Sequence, residues 1–166
     1  MCRVPDQSRQ PSESMPDLIH FEDFEPGQEF DLGSVTVSKE DIVEFASEFD
    51  PQPFHVDEEA GKASLLGGLA ASGWHTGSLV MSLLAKGLLN KSTCQGSPGI
   101  SSLKWMRPVF PGDTLSARVE VVRAKSLRSR QDLGLVTIRL TTTNQAGANV
   151  IQWENPILFA KRDQQA

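Results

Sequence analysis

Cysteine is scarce in this chain, and the two present, Cys2 and Cys94, show no metal or redox spacing. Disulfide stapling is not expected, and a reduced, cytoplasmic setting is. A basic excess is missing too: 16 Lys and Arg face 21 Asp and Glu, for a net charge of −5. Binding a phosphate backbone needs the opposite balance, so nucleic acid is not expected as the main partner. The N-terminus Met1-Cys2-Arg3-Val4-Pro5-Asp6 lacks the apolar core of a secretory signal. No long apolar run goes unbroken. Leu65 to Ala85 carries no charge, but Gly67, Gly68, Gly73 and Gly77, with Ser72, His75 and Thr76, interrupt it. A membrane span needs about 20 predominantly apolar residues in succession, so a core helix is expected here and no membrane association. The segment Ser72-Gly73-Trp74 has no Gly-x-Ser-x-Gly elbow, which argues against a serine hydrolase.

What is present suits one domain. The 166 residues, 39% of them hydrophobic, suffice for one full core but not for two. Residues 1–17 are polar and rich in Pro and Ser, so they are expected to be a disordered tail ahead of a domain spanning 18–163. Pro26-Gly27 marks a turn, and Phe30 to Val37 alternates as a first strand. Ser38 reads as an N-cap, with Asp41 in capping-box relation. Ile42, Phe45, Ala46 and Phe49 then recur at helical spacing over 39–49. Asp57 to Leu65 predicts a short helix whose acidic start suits the positive end of the helix dipole. From Gly73 to Leu89 apolar residues lie on nearly every side, the pattern of a helix wrapped by other elements. Strand-like segments follow near 99–107, 114–125, 133–145 and 148–161. Leu115, Ala117, Val119 and Val121 alternate cleanly, as do Val136, Ile138 and Leu140. One long buried helix followed by antiparallel strands is an α+β pattern, a sheet around a helix.

Two segments carry candidate chemistry. Phe49-Asp50-Pro51-Gln52-Pro53-Phe54-His55-Val56-Asp57 sets an acid and an imidazole five residues apart. Pro51 and Pro53 predict an extended, stiff segment rather than a helix, aiming both side chains into one cavity. Each residue has a plainer alternative: Asp-Pro is a common turn dipeptide, and a lone His often only packs. Their joint occurrence ahead of the glycine-led helix start Ser72-Gly73 favours chemistry on a carbonyl compound. The pair would transfer protons. The Gly73 N–H, unpaired in the first helical turn, would meet developing negative charge. Gly73 also permits close packing, and the two roles are compatible. Ser72 is a reasonable N-cap, Trp74 is core or pocket wall, and His75 faces either the pocket or a buried partner. His75 has no acidic or cysteine neighbour at ligand spacing, so no metal is expected.

Asp50-x-x-Pro53-x-His55, then Ser72-Gly73, then Arg107-Pro108-Val109-x-x-Gly112-Asp113 resembles the MaoC-like dehydratases, which include the (R)-specific enoyl-CoA hydratases. The likeness runs from about Phe21 to Arg162. The family pattern is Asp-x-Asn-Pro-x-His with His-Gly at the helix start; Gln52 stands here in the Asn place and Ser72 in the His place. The resemblance implies a hotdog fold, a curved antiparallel sheet around a central helix. It implies interconversion of trans-2-enoyl-CoA and (R)-3-hydroxyacyl-CoA, with Asp50, His55 and Gly73 catalytic. Gln52, Ser72, Trp74 and His75 would bind the acyl-CoA thioester; Ser78 and Met81 are candidates for an acyl tunnel, with helical core packing as the default; and Arg128 and Arg130, in a polar loop of a basic later half that otherwise reads as solvated, would meet the coenzyme A phosphates. No cofactor beyond the coenzyme A of the substrate is implied, and a homodimer or dimer of dimers is. An acyl-CoA thioesterase of the same fold and a non-catalytic acyl-thioester-binding subunit are the alternatives.

Overall fold

The alternating segments pair into one antiparallel sheet, as seen in a computed structural model that describes residues 17–162. The expected tail, apart from Asp17, lies outside the described residues, as does Cys2. Strands β1 (Glu29–Thr36), β2 (Ser102–Trp105), β3 (Thr114–Ser126), β4 (Leu133–Thr143) and β5 (Asn149–Ala160) lie side by side in the order β1-β3-β4-β5-β2. Inward positions recur every second residue, so Leu115, Ala117, Val119 and Val121 of β3 are all buried, as are Val136, Ile138 and Leu140 of β4. The helix α4 (Gly73–Gly87) lays Val80 and Leu84 onto this inner face, joined by Leu88, Phe24 and Phe159 in the main core. A smaller cluster of Val37, Ile42, Leu69, Ala71, Val109, Leu115 and Val150 lies around the start of the helix. This is the α+β hotdog arrangement.

Three expectations need correction. The central helix is not wrapped on all sides, because the sheet covers one flank only and Trp74 and Met81 on the other are 60% and 43% exposed. The strand expected over 99–107 spans only Ser102–Trp105. The N–H groups of both Met106 and Arg107 fall on the single carbonyl of Val150, which breaks the ladder before Pro108. The segment around Pro53 is not wholly extended: Pro53–Val56 forms a one-turn helix, α2. Pro53 sits at its first position, where a missing N–H costs no hydrogen bond and the fixed φ suits the turn.

The flanking helices follow their caps. Ser38 Oγ accepts from the Asp41 N–H (3.1 Å) to start α1 (Lys39–Phe49), and Asp57 Oδ1 accepts from the Ala60 N–H (2.8 Å) to start α3 (Glu58–Ala63). Asp41 completes its side of the motif on the Ser38 hydroxyl (2.6 Å) rather than on the backbone. Pro156 is tolerated inside β5 because the β2 ladder has ended beside it, and its carbonyl accepts the Ser97 hydroxyl (2.5 Å). Among the described residues no helix is long and apolar enough to cross a membrane.

Candidate active site

Helix α1 ends at Asp50, whose N–H closes the last turn on the Ala46 carbonyl (2.9 Å). Its carboxylate is then held at both oxygens. Oδ2 accepts from the Ser72 hydroxyl (2.6 Å) and Oδ1 from the Gln52 amide (2.8 Å). The Ser72 hydroxyl holds the carboxyl below its ordinary pKa against the opposing effect of burial, with help from Gln52 and the nearby His55. The acid therefore stays ionised at neutral pH.

His55 is buried on α2, with Nδ1 2.7 Å from the Ala70 carbonyl oxygen. A carbonyl only accepts, so Nδ1 carries the hydrogen and the lone pair of the neutral ring sits on Nε2. Nε2 faces Asp50 Oδ2 at 3.6 Å. Two acceptors at that separation do not bond to each other, and a water placed against both could donate one hydrogen to each.

Gly73 is the first residue of α4, and its N–H makes no hydrogen bond among the described residues. Trp105 covers its other side: the indole Nε1 donates to the Gly73 carbonyl (2.9 Å), and the ring meets Trp74 edge-on at 5.2 Å. A Cβ on Gly73 would stand 2.7 Å from the Trp105 ring, so a larger residue there would force the indole to shift.

Asp50, Gln52, His55, Gly73 and Trp74 share one cavity of about 450 Å³. Trp74 and Trp105 also border a second cavity of about 440 Å³, between the open flank of α4 and the β2–β5 edge, where Ser78 and Met81 are found. The structure does not place every expected residue on these walls. Ser72 is fully buried behind Asp50, its hydrogen given to the carboxylate and its oxygen capping the Trp74 N–H (3.2 Å). His75 turns away from the cavity and stacks on Phe45 of α1 (4.8 Å, 15°), where burial pushes its imidazole pKa down. Arg128 and Arg130 lie in the β3–β4 turn, at the far end of the ladder from Thr114, and Arg130 is bound bidentately by Asp132 (2.9 and 2.7 Å). Neither reaches the cavity within the chain. Its cation is Arg107, which donates to the Asn149 carbonyl (2.7 Å). The sequence sets Arg107 in a motif and among the basic residues of the later half without singling it out as a phosphate contact, and it gives no role to Trp105, whose part depends on a contact 32 residues distant.

Residues 22–144 match the family model of the MaoC-like domain. The chain belongs to the MaoC-like family. A MaoC-like dehydratase from Rhodospirillum rubrum has a similar structure (TM-score 0.82, 40% identity, covering 87% of this chain and 98% of that one). The unliganded (R)-hydratase of Pseudomonas aeruginosa is similar over 87% of this chain and 88% of its own (TM-score 0.70, 25% identity). An uncharacterised Bacillus subtilis protein is 35% identical over 144 residues, 86% of this chain and all of its own. For the fold alone, a Mycobacterium tuberculosis protein described as a double hotdog matches 90% of this chain and 46% of its own (TM-score 0.73, 20% identity). The MaoC-like pattern and the cavity coincide, since Asp50, Gln52, His55 and Gly73 all line it.

Proposed function

We propose that the chain hydrates trans-2-enoyl-CoA thioesters to (R)-3-hydroxyacyl-CoA, and runs the reverse dehydration, with Asp50 and His55 acting on one water. The observation that carries this reading is the 3.6 Å gap between Asp50 Oδ2 and His55 Nε2, in the same cavity as the free N–H of Gly73. The likeness to the P. aeruginosa (R)-hydratase supports it. Water held by the two acceptors attacks C3, and its oxygen forms the new C–O bond as the dyad takes one proton. The π electrons move through C2 to the thioester oxygen, where the Gly73 N–H and the start of α4 stabilise the enolate. A proton from the dyad then goes to C2, which balances the addition.

Trp74 forms part of the wall beside the thioester, and Gln52 acts through Asp50. Arg107, in place of Arg128 and Arg130, offers a cation to coenzyme A phosphate. The acyl chain passes the Trp74–Trp105 pair into the second cavity. A second copy of the chain pairs on the free edge of β2, where Ile100, Trp105 and Met106 are exposed, and covers the open flank of α4.

Loss of the conjugated enoyl chromophore of crotonyl-CoA and longer homologues tests the reaction, and stereochemical assay of the product tests its hand. Release of free thiol without chromophore loss from a hydratable substrate would mark a thioesterase. Tight binding with neither would mark a non-catalytic acyl-thioester subunit.

A further inference from the structure

Helix α4 contains three glycines, and contact accounts for two of them. Gly73 lies against Trp105, and a Cβ on Gly87 would stand 2.9 Å from the Leu32 side chain. Gly77 is different. Its φ is not positive, and beyond its chain neighbours and the backbone of its own turn a Cβ there would meet nothing within 4 Å among the described residues. Glycine inside a helix is less favourable than alanine, because it gives up more backbone freedom on folding. Neither backbone geometry nor packing within the chain explains why it stands here.

Its surroundings offer a reason. Trp74, Gly77, Met81 and Leu84 follow at i, i+3, i+7 and i+10, which sets them on one face of the helix, and all four line the second cavity. The missing side chain therefore leaves space open between Trp74 and Met81. No charged side chain lines this cavity, and the Ser78 hydroxyl next to Gly77 is already given to the Trp74 carbonyl (2.8 Å). Such walls suit an apolar, flexible chain. The position along the helix suits one too. Gly77 is four residues past Gly73, about 6 Å along the axis, and the two cavities adjoin at Trp74 and Trp105, which line both.

We propose that Gly77 is a specificity-determining residue, whose missing side chain admits medium-length acyl chains running from the thioester along α4. The inference rests on the acyl-CoA reading above and deepens it by naming the substrate class. A short acyl group ends in the first cavity and gains nothing from the glycine. A longer one lays its methylenes against the helix at Gly77, and each one buried there tightens binding about fourfold. A second copy covering the open flank would close the cavity over the chain rather than fill it.

The test uses the full chain with butanoyl-CoA and octanoyl-CoA for binding and the matching enoyl-CoAs for turnover. Binding is read by quenching of Trp74, Trp105 and Trp153, which border the second cavity. The unaltered protein is expected to bind octanoyl-CoA about tenfold or more tightly than butanoyl-CoA. Equal affinities overturn the proposal, and that outcome needs no variant to fold. Gly77→Leu, which fills the space with a good helix former, should cut the preference to about threefold or less. An undiminished preference in folded Gly77→Leu overturns the proposal. Gly77→Ala should reduce the preference part-way and raise the urea midpoint. A lowered midpoint would mean that a second copy packs on the bare glycine, and would also overturn it. Hydration of enoyl-CoAs with equal affinity for both chain lengths strikes the Gly77 proposal alone. A chain-length preference that Gly77→Leu removes, with no hydration of any enoyl-CoA, strikes the catalytic reading and leaves Gly77 standing. Failure of every probe to bind overturns both.

Discussion

The Ser72 hydroxyl is shared between two tasks, capping α4 and donating to Asp50. Ser72→Ala should therefore act twice. Loss of the cap should lower stability by about 1 kcal/mol, measured by urea denaturation. Loss of the donor should let the Asp50 pKa rise toward its ordinary value. The native pKa is depressed, so the stability it contributes is present above the unfolded value and is lost as pH falls through the lowered folded value. In the variant that contribution is smaller and its loss is complete at a higher pH, and the acidic limb of the kcat/KM profile should move up with the raised folded value. An unmoved limb would show that Asp50 does not govern it. At the dyad itself, Asp50→Asn keeps the side-chain shape but removes the proton acceptor, and His55→Ala removes the water's other partner. Each should lower kcat by roughly a hundredfold or more. The double variant should be little worse than the poorer single one if both serve one transfer. Near-normal hydration by correctly folded Asp50→Asn would reduce Asp50 to a turn residue.

At the scale of elements, α3 presses on the chain that leads to α4. A Cβ on Gly61 would stand 2.6 Å from the Gly68 carbonyl carbon and oxygen and the Leu69 nitrogen, all backbone atoms that cannot rotate aside. Gly61→Ala should destabilise by about 1–3 kcal/mol, read from the denaturation midpoint. An unchanged midpoint would mean that the α3 contact is easily relieved. Sequence periodicity revealed α1 and α4 because each spans several turns and has a serine cap at its start. It also revealed the alternation of β3 and β4. The one turn of α2 was hidden by Pro53, since an N1 proline and an extended proline look alike over four residues. The direction of His75 was equally hidden. Helical spacing assigns it a face, but only the arrival of Phe45 from α1 shows that this face turns from the cavity. Arg107 and Trp105 needed the sheet in place before their nearness to Gly73 had meaning.

For the whole molecule, the open β2 edge and the patch around Ile100 make assembly the property to measure. Sedimentation velocity should show the unaltered protein as a dimer or a dimer of dimers. Ile100→Glu, which sets a charge on the patch, should shift it toward monomer with secondary structure retained. A monomeric unaltered protein would overturn the pairing. The strand order has a further consequence in time. β2 pairs only with β5, residue 103 opposite residue 153 and residue 105 opposite residue 151, although β3 and β4 lie between them in the chain. During synthesis at about 5–20 residues per second, β2 is exposed for several seconds before its partner exists. Throughout that interval the nascent chain carries an unpaired edge, with Trp105 lacking the strand that seats it on Gly73. β5 thus completes both the sheet and the wall of the second cavity, so a ribosome that stalls before it leaves neither.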